Sequence, residues 1–233
     1  MNIPNHLVLF PDGNGRWAKQ NKLSELAGYK KGYENLVDFC YWCKNREVKV
    51  LTVFGFTTKN WTRSLKGVNF LMGLLEKKLT ANIKKYFESK ELQELGVHVR
   101  VIGQKERLPA SLQRILAKVE DMTKNNSNLF LNLAIGYGGK WDILQAVKKI
   151  VQEKIPAEDI DEKLFESYLS TAGLPDPDFI IRAGGNMRLS NFALWQSASS
   201  ELYFSPKFWP DFTEQDLDIA LAEFDKRSRS LGK

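Results

Sequence analysis

Short apolar runs, rich in β-branched and aromatic residues, alternate along this chain with longer segments of helical period, and this alternation constrains the fold most. Six of the runs are expected to be strands: His6–Phe10, Val48–Phe56, Val97–Ile102, Leu129–Ile135, Asp178–Arg182 and Glu201–Phe204. Apolar strands separated by helices are typical of a mostly parallel sheet that is covered on both faces. The sequence therefore predicts an α/β fold with a mostly parallel, six-stranded sheet surrounded by helices.

Six other segments have the apolar spacing of amphipathic helices. They are Gly32–Lys44, Val68–Leu95, Leu108–Met122, Trp141–Gln152, Glu162–Thr171 and Glu214–Arg229. The longest keeps one apolar face over many turns, formed by Leu71, Leu74, Leu75, Leu79, Ile83, Tyr86 and Phe87. This face either packs into the core or, in part, lines an elongated apolar cavity.

Length and composition favour a single domain over residues 1–233. A chain of 233 residues with 43% hydrophobic content can bury a substantial core, and no repeat or low-complexity tract divides it. The net charge of +6 suits nucleic acid, an anionic membrane or a phosphorylated substrate. Charge alone therefore does not choose among these partners.

The two cysteines and the N-terminal residues bear on the compartment. Cys40 and Cys43 lie one helical turn apart, and without a second Cys or His pair they are expected to be reduced thiols rather than a redox or zinc pair. The N-terminal residues lack the features of a secretory signal, and the apolar runs are shorter than the roughly 20 residues that span a bilayer. We therefore expect a cytoplasmic protein.

The segment Pro11–Trp17 lies directly between the first predicted strand and a helix, where ligands of open α/β sheets gather. Gly13 and Gly15 let backbone N–H groups approach a phosphate, and Arg16 adds charge-assisted hydrogen bonds. Asp12 is an anion beside this anion-binding loop, which calls for a cation between them. Mg²⁺ fits, because it accepts one or two carboxylates together with phosphate oxygens. The loop alone is also compatible with an ordinary β–α turn, since neither glycine-rich nucleotide motif is present.

A second polar segment follows another predicted strand. Arg182 and Arg188 flank a glycine pair, and Ser190 follows two residues later, so that guanidinium groups and a hydroxyl can hold a second diphosphate. Two such segments after two strands of one sheet predict an active site for two phosphorylated groups. Glu201, near the last strand, is expected to be a second metal ligand beside Asp12.

These segments belong to an ordered set of motifs that extends from about His6 to Arg229. The set comprises Asp12–Trp17, Phe56–Arg63, Tyr137–Gly139, Arg182–Phe192, Leu194–Ser197, Glu201–Phe204 and Trp209–Phe212. In this order the motifs resemble the cis-prenyltransferase family, of the undecaprenyl diphosphate synthase type. The resemblance implies an apolar tunnel beneath two diphosphate sites, isoprenoid diphosphates as substrates and Mg²⁺ as the cofactor. It also implies a homodimer with at most peripheral membrane contact.

The resemblance also implies roles for individual residues. Two are expected to be catalytic: Asp12, which assists departure of the diphosphate and handles the metal with Glu201, and Asn60, which helps to remove a proton. Asn60 belongs to a mobile segment over the site, together with Trp61 and Arg63. The allylic diphosphate is expected to contact Gly13, Asn14, Gly15 and Arg16. Further residues expected to bind substrate are Trp17, Tyr29, Trp61 and Arg63. The isopentenyl diphosphate is expected to contact Arg182, Arg188 and Ser190.

Several positions depart from the family pattern. Pro11 stands in place of a common Met, Glu25 in place of an Arg, Tyr29 in place of a His and Asn186 in place of a Glu. The reversed charge at Glu25 either weakens the grip on the allylic diphosphate or changes the preferred substrate. Two reactions therefore stay open. One is cis elongation of an allylic diphosphate with isopentenyl diphosphate, and the other is irregular head-to-middle coupling of two dimethylallyl diphosphates to a lavandulyl-type product.

Two other classes of protein fit the sequence less well. Non-catalytic partner subunits of prenyltransferases typically lose the aspartate–glycine loop, whereas Asp12–Arg16 is complete here. A nucleic-acid binder would be expected to carry a recognisable binding motif, and four of the six tryptophans, Trp17, Trp61, Trp195 and Trp209, fall inside the family motifs instead. We therefore expect a transferase that acts on small isoprenoid diphosphates, with no nucleic-acid partner.

Overall fold

The computed structural model describes residues 2–227. Its strands are β1 (His6–Phe10), β2 (Val50–Thr57), β3 (Val97–Ile102), β4 (Leu129–Tyr137), β5 (Phe179–Arg182) and β6 (Glu201–Phe204). They form one sheet in the order β3-β4-β2-β1-β5-β6, and all the pairings that join them are parallel. The predicted α/β fold with a six-stranded parallel sheet is confirmed.

Helices cover both faces of the sheet. In the described range they are α1 (Asn14–Gln20), α2 (Glu25–Asn45), α3 (Leu65–Glu88), α4 (Lys90–Leu95), α5 (Ala110–Thr123), α6 (Gly139–Gln152), α7 (Glu162–Ser167) and α8 (Glu214–Lys226). Short 3₁₀ helices occupy Thr58–Thr62, Lys105–Arg107, Ala157–Asp159 and Trp209–Asp211. No helix within residues 2–227 is both long and apolar enough to cross a membrane.

Three helix predictions need correction, and the first is the helix predicted over Glu162–Thr171, which ends at Ser167. The helix predicted from Gly32 begins at Glu25 instead, because Ser24 caps it by accepting a hydrogen bond from the Ala27 N–H at 3.3 Å. The predicted helix Val68–Leu95 is two helices, α3 and α4, separated at Ser89, where the backbone is extended. The last two residues predicted for the final helix, 228 and 229, lie outside the described residues, as do the ends of the predicted domain.

The sheet is buried on both faces because alternate side chains of its strands enter different cores. In β1, Leu7 and Leu9 join the core that α2 and α8 cover. Val8 and Phe10 point to the opposite face, where they pack with Phe192. Because the strands are parallel, their carboxyl ends lie along one edge of the sheet, and polar side chains from several strands meet there.

The two cysteines are buried free thiols on α2. Burial raises the pKa of Cys40 to about 12 and also raises the pKa of Cys43. The prediction of reduced thiols agrees with these positions. Within residues 2–227 no cluster of three or more His, Cys, Asp or Glu side chains could hold a metal ion.

Candidate active site

The carboxyl end of β1 delivers Asp12 to the edge of the sheet, where a tight turn leads into α1. The Asp12 N–H donates to the carbonyl of Phe10 at 2.9 Å, and the Asp12 carbonyl accepts from the Trp209 N–H at 2.9 Å. Gly13 follows with a φ of +106°, and a Cβ at this position would lie 2.6 Å from the ring of Phe208. Only glycine fits this turn without strain. The two backbone hydrogen bonds of Asp12 hold it beside the first turn of α1.

The Asp12 carboxylate is the centre of a polar cluster. Its Oδ2 accepts from Arg182 Nη2 at 2.9 Å and from Asn186 Nδ2 at 2.8 Å, and its Oδ1 lies 3.3 Å from Arg16 Nη2. Burial by itself would raise the pKa of Asp12. The hydrogen bonds from Arg182 and Asn186 and the charges of both arginines outweigh burial and hold this pKa below its usual value. Asp12 is therefore ionised at neutral pH.

Arg182 ends β5 and is only 5% exposed. Its Nη1 donates to Ser190 Oγ at 2.7 Å and to the backbone carbonyl of Arg188, and its guanidinium lies 5.1 Å from the centre of the Phe10 ring. Ser190 has a φ of +50°, which is uncommon for a residue other than glycine. The structure thus brings Arg182 and Ser190 together with Asp12, whereas Arg188 contributes its carbonyl and has an exposed side chain.

An apolar cavity of about 360 Å³ begins beside this cluster, with Pro11 and Asn14 in its wall. It continues between the sheet and helices α2, α3 and α5 as far as Val97, which pairs with Leu129 near the amino end of the sheet. The cavity therefore extends over about six residues of a strand, or roughly 20 Å. Its volume lies in the range of about 300–1,000 Å³ that is usual for small-molecule sites.

The wall of this cavity includes much of the apolar face of α3. Leu71, Leu74, Leu75, Leu79 and Ile83 all line it. These positions of the long helix therefore face the cavity, and Leu79 also belongs to the core. The side chains of residues 86 and 87, predicted for the same face, lie outside the described part of the chain.

Tyr29, Asn60 and Arg63 stand at the mouth of the cavity. Arg63 Nη1 donates to the Tyr29 hydroxyl at 3.4 Å, which connects α2 to the segment before α3. Asn60 caps its own 3₁₀ helix: its Oδ1 accepts from the Thr57 N–H at 2.8 Å, and its N–H donates to Thr57 Oγ1 at 3.2 Å. The cap therefore occupies one of the two lone pairs of the Asn60 amide oxygen.

Two tryptophans expected to contact substrate are held by other parts of the protein. Trp17 Nε1 donates to Asp211 Oδ1 at 2.7 Å. Trp61 Nε1 donates to Gln104 Oε1 at 2.8 Å, and the Trp61 ring packs edge-on against Phe56 with the centres 4.7 Å apart. Among the described residues, neither tryptophan lines the cavity. Their contacts anchor the two segments that carry Arg16 and Asn60.

The prediction that Glu201 is a second metal ligand beside Asp12 requires a correction. This glutamate is the first residue of β6 and pairs with Phe179, whereas Arg182, the neighbour of Asp12, pairs with Phe204. Three residues of strand separate these levels, so Glu201 lies about 10 Å from the Asp12 end of the sheet. Its Oε2 accepts from Arg227 Nη1 at 2.7 Å. Within one copy of the chain, therefore, Glu201 does not stand beside Asp12 as a second metal ligand.

Two residues of the cluster were missed as site residues. Asn186 was noted only as a departure from the family pattern, yet its amide contacts Asp12 directly. Phe208 lies 5.0 Å from the guanidinium carbon of Arg16. The sequence did offer a signal for Asn186, because it lies between Arg182 and Arg188 in the polar segment expected to bind diphosphate. Phe208 gave none, because its contact joins segments that are far apart in the sequence.

An open parallel sheet with an ionised carboxylate and arginines at its carboxyl edge, next to a long apolar cavity, is typical of proteins that bind a molecule with an anionic head and an apolar tail. Residues 10–232 match the family described as putative undecaprenyl diphosphate synthase. The chain belongs to this family of prenyltransferases.

Individual relatives match over almost their whole length. The isoprenyl transferase of Aquifex pyrophilus is 42% identical over 235 residues, which cover 100% of this chain and 97% of the relative. The ditrans,polycis-undecaprenyl-diphosphate synthase ((2E,6E)-farnesyl-diphosphate specific) of Legionella pneumophila (strain Paris) is 37% identical over 235 residues, which cover 99% of this chain and 96% of the relative.

Two solved structures have the same fold. Lavandulyl diphosphate synthase from Lavandula x intermedia, in complex with dimethylallyl diphosphate, matches with a TM-score of 0.91 and 35% identity, covering 99% of each chain. A probable undecaprenyl diphosphate synthase from Campylobacter jejuni matches with a TM-score of 0.81 and 30% identity, covering 100% of each chain. The chain therefore resembles members of one family whose names refer to different products.

Proposed function

We propose that this protein condenses isopentenyl diphosphate with an allylic diphosphate, in a cis elongation that releases diphosphate. One observation carries the proposal: the apolar cavity begins directly beside the ionised Asp12 and its arginines. An isoprenoid diphosphate has the two parts that such a site can accept, a strongly anionic head and an apolar chain. The family of the chain supports the same reaction.

The head groups would be held by residues at the carboxyl edge of the sheet. Guanidinium groups bind diphosphate oxygens through charge-assisted, often paired hydrogen bonds. We assign Gly13, Asn14, Gly15 and Arg16 to the allylic diphosphate. We assign Arg182, Arg188 and Ser190 to the isopentenyl diphosphate, for which the exposed side chain of Arg188 would turn toward the ligand. Tyr29 and Arg63 would complete the grip at the mouth of the cavity.

The residues present fit Mg²⁺ at Asp12. Among the described residues, Oδ1 is engaged only by an ion-pair contact of 3.3 Å to the half-exposed Arg16, so it can take another cationic partner. Since the described residues form no larger cluster of metal-binding side chains, the remaining ligands would be diphosphate oxygens and water, as Mg²⁺ commonly prefers. When bound, Mg²⁺ would supply positive charge to the departing diphosphate.

In this reaction the allylic C–O bond breaks, and its electron pair leaves with the diphosphate. The double bond of isopentenyl diphosphate attacks the electron-deficient carbon and leaves a new cation. This cation then gives up a proton to the released diphosphate, a transfer that Asn60 would assist, and the C–H electron pair forms the new double bond. Arg16 and Arg182 would stabilise the negative charge that develops on the leaving group. The apolar walls would keep water away from the cationic carbon.

The length of the cavity supports elongation. It extends roughly 20 Å along the strands and is lined mainly by apolar side chains, so it can accept an apolar chain that grows away from the diphosphate site. A product made from only two five-carbon units would fill the part near the mouth. The remaining volume then favours a longer product.

Irregular coupling of two dimethylallyl diphosphates is a second candidate, supported by the groups at the mouth. Glu25 Oε1 would lie 3.7 Å from a Cβ added at Gly15, so a carboxylate adjoins the turn assigned to the allylic diphosphate. Tyr29 accepts from Arg63 at the same place. The high TM-score with lavandulyl diphosphate synthase agrees with this candidate.

Incubation of the purified protein with labelled isopentenyl diphosphate, Mg²⁺ and a series of allylic diphosphates tests the proposal. We expect turnover that needs isopentenyl diphosphate and gives cis-elongated products. A branched ten-carbon product from dimethylallyl diphosphate alone would support the second candidate instead. No turnover with any pair would contradict both.

The Asp12→Ala variant tests the central residue of the site. We expect its turnover to fall on the order of 100- to 1,000-fold, because a preorganised electrostatic group is removed. The matched control is Asp121→Ala, which removes an exposed carboxylate from α5. Equal activity of the two variants would contradict the role of Asp12.

We also propose that the protein works as a homodimer in the cytoplasm, on the basis of its family resemblance. Light scattering of the purified protein measures the assembly directly. A monomer over the concentration range of the activity assay would contradict this proposal without affecting the reaction.

A further inference from the structure

Asn186 lies in the turn after β5, and two glycines direct this turn toward Asp12. Gly184 and Gly185 have φ values of +88° and +73°, and their N–H groups donate to backbone carbonyls of the segment after β6 at 2.6 and 2.9 Å. A Cβ at Gly184 would lie 2.8 Å from Arg16 Nη2 and 2.9 Å from the Asp12 carbonyl oxygen. The path of this turn is therefore tightly restricted, and it brings the Asn186 amide to the carboxylate.

The Asn186 amide and the Arg182 guanidinium donate to the same oxygen, Asp12 Oδ2, at 2.8 and 2.9 Å. The terminal torsion of an aspartate is soft, so one donor alone would let the plane of the carboxylate turn. Among the described contacts, Arg182 reaches Asp12 only through Nη2, since its Nη1 is engaged by Ser190 and the Arg188 carbonyl and its Nε has no partner, so the second donor to the carboxylate comes from Asn186. Two donors from separate side chains restrict the carboxylate to one orientation.

This arrangement gives the two oxygens of Asp12 different surroundings. Oδ2 is occupied by two short hydrogen bonds, whereas Oδ1 has the longer contact of 3.3 Å to Arg16. We propose that Asn186 is a positioning residue that, together with Arg182, holds Oδ2 so that Oδ1 faces the diphosphate and its divalent cation. The inference rests on the proposed function. Asn186 acts through Asp12 and does not itself contact the reacting atoms.

The amide is suited to this task because of its donor. An aspartate at position 186 would have nearly the same shape, but when ionised it can only accept hydrogen bonds. It would also set a second negative charge against Asp12. Asn186→Asp therefore tests the donor at constant size, and Asn186→Ala tests its removal. The adjacent Met187 is 78% exposed, so Met187→Ala is a control in the same turn.

Steady-state kinetics with Mg²⁺ separates positioning from substrate binding. We expect Asn186→Ala to lower kcat by about 10- to 100-fold, as is usual when the partner of a metal-binding side chain is lost, with little change in KM for isopentenyl diphosphate. Asn186→Asp should lower kcat at least as much, and Met187→Ala should match the wild type. Binding of Mn²⁺ in the presence of inorganic diphosphate, followed by electron paramagnetic resonance, should weaken by about tenfold in Asn186→Ala.

Wild-type kcat in both Asn186 variants, with unchanged Mn²⁺ binding, would overturn the inference and leave the proposed function intact. Failure of the wild-type protein to turn over any substrate pair would instead overturn the proposed function, and the Mn²⁺ measurement would still decide the role of Asn186. Thermal melts followed by circular dichroism show whether each variant is folded. If Asn186→Ala is unfolded, the aspartate variant decides alone, because it preserves the size of the side chain.

Discussion

Replacement of Arg182 by methionine tests whether the ion pair at the sheet edge stabilises the protein. The guanidinium is almost fully buried, and it donates to Asp12, to Ser190 and to the carbonyl of Arg188. Methionine keeps an apolar side chain of similar length against Phe10 but removes all of these donors. Asp12 then retains Asn186 and Arg16 as partners.

The expected change in the free energy of unfolding is the difference between the hydrogen bonds that Arg182→Met removes and the cost of burying the guanidinium, which it also removes. Each hydrogen bond that involves a charged group contributes about 1.5–3 kcal/mol, and a buried guanidinium loses several kcal/mol of hydration. The Arg182 Nε, moreover, is buried and has no hydrogen-bond partner among the described residues. We therefore expect Arg182→Met to lower the free energy of unfolding by about 2–4 kcal/mol. For a chain of this size that corresponds to a fall in Tm of roughly 5–15 °C.

Urea unfolding of the wild type, Arg182→Met, Asp12→Asn and the double variant isolates the pair. We expect a coupling energy of about 1.5–3 kcal/mol between Arg182 and Asp12 at pH 7. The native pKa of Asp12 lies below its usual value of 3.8, so the pair stabilises the protein above that pH and is lost as the pH falls through the native pKa. A coupling energy near zero at pH 7, or one that grows on acidification, would refute the reasoning.

Three further predictions concern other parts of the chain. Gly13→Ala should lower the free energy of unfolding by about 1–3 kcal/mol, because the φ of residue 13 is positive and the new Cβ would meet Phe208. Urea denaturation measures this, and an unchanged urea midpoint would contradict the expected strain. Cys40, whose pKa burial raises to about 12, should react with a thiol reagent only after unfolding, and fast labelling of the native protein would contradict its burial. Burial lowers the pKa of His6, so only the unfolded state gains this proton below about pH 6.5, and stability should decline there. His6→Asn should flatten that decline in urea unfolding measured between pH 7 and 5.

The strands could be predicted from the sequence because strands buried on both faces consist of continuous apolar residues. β1, β3 and β6 have the predicted bounds, and β4 continues two residues further, to Tyr137. β5 begins one residue later than predicted, and β2 begins two residues later and ends one residue later. The start of α2 was missed because its first turn is exposed and faces the mouth of the cavity, so it lacks a core-facing apolar period. The break at Ser89 was missed because apolar residues continue on both sides of it.

Those residues of the site whose contact follows from the order of the strands in the sheet could be predicted from the sequence. Asp12 and Arg182 both end strands, and parallel neighbours bring such residues together. The same rule contradicts the prediction for Glu201, since that residue begins its strand and therefore lies toward the other edge. The contact of Asn186 with Asp12 depends on the turn at Gly184 and Gly185, whose left-handed conformations the sequence permits but does not require.

Two of the departures from the family pattern, Pro11 and Tyr29, line the apolar cavity at its end near Asp12, and their place there bears on the choice between the two reactions. Glu25 adjoins Gly15, and Tyr29 contacts Arg63 at the mouth of the cavity, so under the proposed function both would affect how a diphosphate is held. The distant wall includes the side chains of Val97, which begins β3 at the opposite end of the sheet, and Val119. Changes at the mouth can thus alter the preferred allylic substrate without shortening the space for the product. A protein selected only for a ten-carbon product would have no need of a cavity that extends roughly 20 Å along the sheet, so the cavity favours elongation even with an altered mouth.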